Sequence, residues 1–286
     1  MSSLLLGLGI AAIAAILYAV AVALQSLEAR HAPDEERLHH NLVRRLITRP
    51  RWLAGTAIAI LAWGAQTAAM LFAPLTLVQP TLALGLVVLL VIGAGLKHER
   101  VGVREMAGVT AIVVGLAGLA WASPSGPAEP APGWTLVAAI GCFAVLASGP
   151  YVLRRHLHGR DWLITVAAGL AFAWSAQASK FVADAVGSGA WLLLVAALAA
   201  TIAGAFLGLL NEMTALQGSG AVRVYPTVLV IQIVVAVALA PTLLGESWAG
   251  TPFGGLALGV SLAVVVGGAA SLTTTRAVTS VAPLPG

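Results

Sequence analysis

A chain of 286 residues that is 59% hydrophobic and only 9% charged, with a mean hydropathy of +0.97, has too few polar side chains to cover a soluble surface of its size. That composition excludes a soluble globular domain and points to an all-α integral membrane protein. The formal net charge of +4 is scattered over the segments between apolar runs. Such scatter argues against a nucleic-acid partner and makes the charges reporters of orientation.

A hydrocarbon layer about 30 Å thick takes about 20 apolar residues at 1.5 Å each. Nine windows of that length occur, at 4–27, 51–73, 75–96, 103–121, 133–153, 161–183, 190–214, 221–244 and 253–272. The first has no basic n-region and no small-residue cleavage site, so it is expected to stay as a helix. Between the first two runs, residues 28–50 are rich in Arg, His and Glu. There Leu38, Leu42 and Leu46, at four-residue spacing, predict an amphipathic helix on the inner leaflet. His31, His39 and His40 in that segment read as solvated side chains in preference to a metal site. The single cysteine, Cys142, rules out an intramolecular disulfide.

Of the 15 Lys and Arg residues, all but Lys180 fall in the segments that nine crossings place on one face. The positive-inside rule makes that face cytoplasmic, with the N-terminus outside and the C-terminus inside. Trp52 and Trp162 open helices at the inner face while Trp121, Trp134 and Trp191 close or open them at the outer face, as an aromatic belt would. The expected location is a bacterial cell membrane.

The organising stretch is Phe72 to Leu84, a tight turn feeding an apolar helix that contains Val78-Gln79-Pro80-Thr81-Leu82. Proline inside a helix frees backbone groups, which lipid tolerates only beside protein or a water-filled cavity. The same pattern returns as Val224-Tyr225-Pro226-Thr227-Val228, and a glutamate, Glu99 or Glu246, follows each about twenty residues later. The third run points inward and the eighth outward, so the expectation is an inverted-topology repeat with a site between the halves near the midplane. The division is 1–122 (four helices), a Pro-rich linker at 123–133, 134–276 (five helices) and a disordered cytoplasmic tail at 277–286.

Candidate site residues follow from depth. Trp63 and Trp174 lie about 16 to 18 Å in from the inner anchors. They belong to matching segments, Ala62-Trp63-Gly64-Ala65-Gln66 and Ala173-Trp174-Ser175-Ala176-Gln177, in which Trp and Gln share a helix face. Packing is the plain reading of both tryptophans; lining one cavity is the sharper one. Gln232 near the midplane needs partners, which could be another helix or a substrate. With Gln66, Gln79, Pro80, Thr81, Gln177, Tyr225, Pro226 and Thr227 these side chains suit a small solute held by stacking and amide hydrogen bonds. Lys180 is either a membrane-edge anchor paired with Asp184 at i+4 or a functional cation. Glu212 is read as a solvated glutamate at the inner boundary or, alternatively, as a metal ligand. Glycines such as Gly85, Gly204 and Gly208 mark close helix packing.

Trp52-Leu53-Ala54-Gly55, Phe72-Ala73-Pro74, Leu77-Val78-Gln79-Pro80 and Leu96-Lys97-His98-Glu99-Arg100 resemble the first half of the NIPA-type magnesium transporters, within the drug/metabolite transporter (DMT) superfamily. Ser179-Lys180, Asn211, Ala215-Leu216 and Val224-Tyr225-Pro226 are similar to parts of its second half. The resemblance spans about residues 50–270 and implies a DMT fold and a transport function. Three readings follow: a DMT-type secondary transporter of a small solute, a magnesium or other divalent-cation transporter, and a non-transporting membrane scaffold. The solute ranks first because the acids near lipid depth, Glu28, Asp184 and Glu212, sit at edges, whereas magnesium wants carboxylates. An enzyme is not expected, since no catalytic cluster shares a depth, and neither is a cofactor. The partners implied are the lipid bilayer, the solute or divalent cation and, as one option, a second copy of the chain.

Overall fold

The computed structural model describes residues 2–29, 46–97, 102–122, 133–152, 161–218, 221–246, 248 and 250–273. Its elements in order are α1 (Ser2–Ala29), α2 (Pro50–Ala69), α3 (Leu75–Thr81), α4 (Leu84–Lys97), α5 (Val103–Trp121), α6 (Gly133–Val152), α7 (Asp161–Ser188), α8 (Trp191–Gly218), α9 (Ala221–Leu243), a 3-10 turn (Pro252–Gly255) and α10 (Leu256–Thr273). Among the described residues there is no strand. Among the described residues seven helical segments are long and apolar enough to cross a membrane, and Leu75–Val91 and Met106–Trp121 are shorter apolar helical stretches at the third and fourth expected runs. Exposed Leu5, Ile13, Ile60, Val113, Val137, Leu192, Ile202, Phe206 and Val260 give the bundle an apolar outer surface suited to acyl chains. The protein is an all-α integral membrane protein.

Local chemistry sets the boundaries. Arg49 is extended (φ −96, ψ 118) and Pro50 opens α2, where a missing N–H costs nothing. Gly189, at φ +71, ends α7 by turning the chain left-handed, and Gly245, at φ +69, does the same beyond α9. At the second of these the Glu246 amide reaches back to the Ala240 carbonyl at 3.4 Å, so the glutamate side chain is swung towards the neighbouring α3.

Two sequence expectations need correction here. The run at 51–73 stops as a helix at Ala69, and 70–74 form a turn. The run at 75–96 is two helices, joined by i→i−3 bonds from Leu82 to Gln79, Ala83 to Pro80, Gly85 to Leu82 and Leu86 to Ala83. The Thr81 hydroxyl donates to the Leu77 carbonyl at 2.8 Å, the oxygen that a continuous helix would give to the Thr81 amide. The belt also changes. Trp121, Trp134, Trp162 and Trp191 are exposed, but Trp52 is buried with Leu46, Ile164, Met213 and Leu216, because an apolar residue just before α2 folds over it. Of the amphipathic helix expected at 28–50, residues 30–45 with the histidines lie outside the described residues, as do 123–132 of the linker, Glu99 and the tail, while Leu46 is buried against Trp52.

Packing follows a pattern of pairs. Helix α1 lies on α2 and α4 while α7 lies on α8 and α9; α5 lies on α10; and α2 meets α7 as α1 meets α8. Exchanging α1, α2, α3–α4 and α5 for α7, α8, α9 and α10 maps these contacts onto one another, with α6 left over against α7 and α8. Small residues allow the close approaches. A Cβ on Gly55 of α2 would stand 3.0 Å from the Ala21 carbonyl of α1, and one on Gly204 of α8 would stand 3.1 Å from the Ala171 carbonyl of α7. Helix α7 is the centre of the bundle: its membrane-length window is 72% buried, against 17% to 44% in the other six.

Candidate functional site

Polar side chains in the bundle interior gather at three levels along it. At one end, the α2–α3 turn is held from both sides by charges that arrive from distant helices. The Lys180 ammonium of α7 donates to the Met70 carbonyl at 3.2 Å, where α2 ends, and pairs with Asp184 at 2.7 Å. Both Glu246 carboxylate oxygens accept from the first amides of α3, Leu75 at 2.6 Å and Thr76 at 3.1 Å. Nothing within the turn caps α3, because Pro74 occupies the N-cap position. A cation thus sits at a helix C-terminus and an anion at a helix N-terminus, the arrangement that both helix dipoles favour.

In the middle, α3, α7 and α9 meet along a seam of uncharged polar groups. Gln232 of α9 donates from Nε2 to Oε1 of Gln79 on α3 at 3.1 Å, and one turn further along α9 the Ala236 carbonyl accepts from Nε2 of Gln177 on α7 at 2.8 Å. Thr76 is three residues before Gln79, and Trp174 three before Gln177, which puts each pair on one helix face. Thr76 and Gln79 are fully buried, Gln177 is 3% exposed and Trp174 6%. Four buried atoms of this seam have no hydrogen-bond partner among the described residues: Thr76 Oγ1, Gln79 Nε2, Trp174 Nε1 and Gln177 Oε1. Each such group costs on the order of 1–3 kcal/mol, so four on adjoining faces are a liability that packing alone does not explain.

Beyond the seam, towards the ends where α8 stops and α9 starts, Glu212 is 3% exposed and its Oε1 has no partner among the described residues. Tyr225 lies within electrostatic reach of Glu212, and Tyr18 of α1 within reach of Tyr225. The expectation of a solvated glutamate fails because counting depth along α8 ignores Met213, Leu216 and Trp52, which pack over this end. Among the described residues no three His, Cys, Asp or Glu side chains come together to hold a metal ion.

The candidates sort accordingly. Gln79, Trp174, Gln177 and Gln232 converge, and Thr81 closes the end of α3. Trp63 of α2 donates to the Ser179 hydroxyl of α7 at 2.8 Å, so the two matching segments lie on helices in direct contact. Gln66 is buried on α2. Pro80 and Pro226 are the sixth residues of α3 and α9. Tyr225 belongs to the Glu212 group, whereas Thr227, two residues on, is exposed because i and i+2 do not share a helix face. Lys180 is engaged with Met70 and Asp184. Thr76, Ser179, Tyr18 and the carboxylate of Glu246 belong to these groups and were not among the candidates. The spacing to Gln79 could have flagged Thr76, and the repeat had already marked Glu246. An open apolar groove of about 570 Å³ on α5 and α10, lined by Val103, Met106, Val114 and Val264, offers a solute few polar partners.

No family model matches the chain, and no solved structure matches it. It is similar to an uncharacterized protein of Corynebacterium glutamicum, with 26% identity over 267 residues that cover 88% of this chain and 92% of that protein.

Proposed function

We propose that the protein is a secondary transporter of the DMT type, moving a small polar solute by alternating access between two inverted halves. In this reading nine crossings, four and then five, place the N-terminus outside and the C-terminus in the cytoplasm. The observation that carries it is the seam: unspent donors and acceptors, buried at membrane depth, where an element of the first half meets two of the second. The exchange symmetry of the helix contacts supports paired halves, and the resemblance to the DMT superfamily supports transport. A magnesium cargo is the second reading, carried by the same resemblance and by the buried Glu212; a solute ranks above it because among the described residues no group of three His, Cys, Asp or Glu side chains forms around Glu212 or elsewhere.

The test is a thermal-shift screen of the purified protein against divalent ions and small metabolites, followed by uptake of each hit into proteoliposomes. A ligand bound only by the folded state stabilises by about 2.7 kcal/mol at a hundredfold excess over Kd. Saturable stabilisation by an uncharged metabolite, followed by its uptake, is the expected result. Magnesium stabilisation abolished by Glu212→Gln would reverse the ranking. Orientation is checked in a background lacking Cys142: a cysteine at Ser125 should be labelled from outside, and one at His40 only after permeabilisation.

A further inference from the structure

We infer that the seam binds an uncharged, planar solute carrying a hydrogen-bond donor and acceptor side by side, of the carboxamide or nucleobase kind, and not an ion. The inference rests on the seam being the solute site of the proposed transporter and narrows what that solute is.

The unspent groups define the complement. Gln79 Nε2 and Trp174 Nε1 donate, Gln177 Oε1 accepts, and the Thr76 hydroxyl does either. A ligand that fits must therefore accept from α3 and the indole while donating to α7, and one edge of a primary amide or a nucleobase does both. The Trp174 ring, buried beside Gln177, supplies a flat wall for a flat solute.

Charge points the same way. The charges nearest the seam are Lys180, one helical turn beyond Gln177, and Glu246, on the Thr76 amide, and both are committed to backbone groups at the α2–α3 turn. A desolvated ion in the seam would meet neutral amides, an indole and a hydroxyl, while the two charges beside it are already engaged at the α2–α3 turn. A divalent cation would lack the carboxylate oxygens it needs. A neutral solute bears neither penalty, and a site built of amides discriminates strongly against analogues that leave them unpaired.

The matched probes are nicotinamide and nicotinate, flat rings that differ in an amide against a carboxylate, with uracil as a second neutral probe and Mg²⁺ as the divalent ion. Binding is read by tryptophan fluorescence of the wild-type protein in lipid nanodiscs, with folding checked by circular dichroism. The expected result is saturable binding of nicotinamide or uracil, at least tenfold tighter than nicotinate or Mg²⁺. Gln177→Leu should weaken it at least tenfold. Thr76→Val, which keeps the side-chain shape, should weaken it severalfold and serves alone if Gln177→Leu does not fold. Nicotinate or Mg²⁺ binding as tightly as the neutral probes, wild-type affinity in both variants, or no binding of either neutral probe up to its solubility limit would overturn the inference. Uptake of the bound probe into proteoliposomes is scored separately. Binding without uptake keeps this inference and removes the transport reading, while uptake of an ion indifferent to both variants does the reverse.

Discussion

Helices α3 and α9 carry the same motif and fold differently. Each has proline as its sixth residue, preceded by a polar or aromatic side chain, yet α3 ends after 7 residues while α9 runs for 23. Proline therefore permits a break without imposing one. What differs is the surroundings. Helix α3 starts in a turn pinned by Lys180 and Glu246 and ends in the run of i→i−3 bonds from Leu82 to Leu86. The residues before the prolines reach across the bundle in opposite senses. Gln79 bonds Gln232 of α9, while the Tyr225 hydroxyl lies over Gly85 of α4, 3.3 Å from where a Cβ would stand. One side of the repeat is built to present polar groups and the other to close over glycine.

The sharpest way to break this contrast is Glu246→Ala, which strips α3 of its cap and leaves α9 intact. Loss of a carboxylate that accepts from two buried amides should cost about 2–4 kcal/mol, read as a fall in apparent Tm of the detergent-solubilised protein. Glu246→Gln, which keeps one acceptor, should recover about half of that. Gly85→Ala attacks the other side. Its Cβ would also meet the Ala15 carbonyl at 3.0 Å, so about 1–2 kcal/mol should be lost, and Tyr225→Phe in the same chain should restore only part of it. Thr81→Val is the mildest change, at about 0.5–1 kcal/mol. It removes the hydroxyl donor from the Leu77 carbonyl, and faster amide exchange at 81–85 would show that this bond helps to hold the joint between α3 and α4.

Much of the fold was legible because membrane-length apolar runs need no long-range information: the window at 103–121 matches α5 end to end. The errors share a cause. A tight turn was expected from Phe72, but the sequence from Met70 to Pro74 is as apolar as its flanks, and the partners 110 and 171 residues away that hold the turn could not be read from it. Trp52 looked like a belt anchor because a position along a helix axis says nothing about what folds over the side chain. Glu212 misled for the same reason. In the candidate site, the midplane depth of Gln79, Gln177 and Gln232 could be counted from helix ends, but which amide faces which is a property of three helices together. The short range from Thr76 to Gln79 was readable, whereas the repeat marked Glu246 without showing that its carboxylate sits at the head of α3.

The cap on α3 also has a consequence for biosynthesis. Leu75 and Thr76 leave the ribosome long before the glutamate that will satisfy their amides, which lies 171 and 170 residues downstream. At roughly 5–20 residues per second, α3 waits on the order of ten to thirty seconds with its leading amides uncapped by that carboxylate. During that interval a seven-residue helix with a bare N-terminus has little reason to remain in lipid by itself. Completion of the α2–α3 turn is therefore tied to synthesis of α9 and the residues just beyond it, and a nascent chain truncated before Glu246 should hold 70–81 open to labelling reagents that the full-length protein excludes.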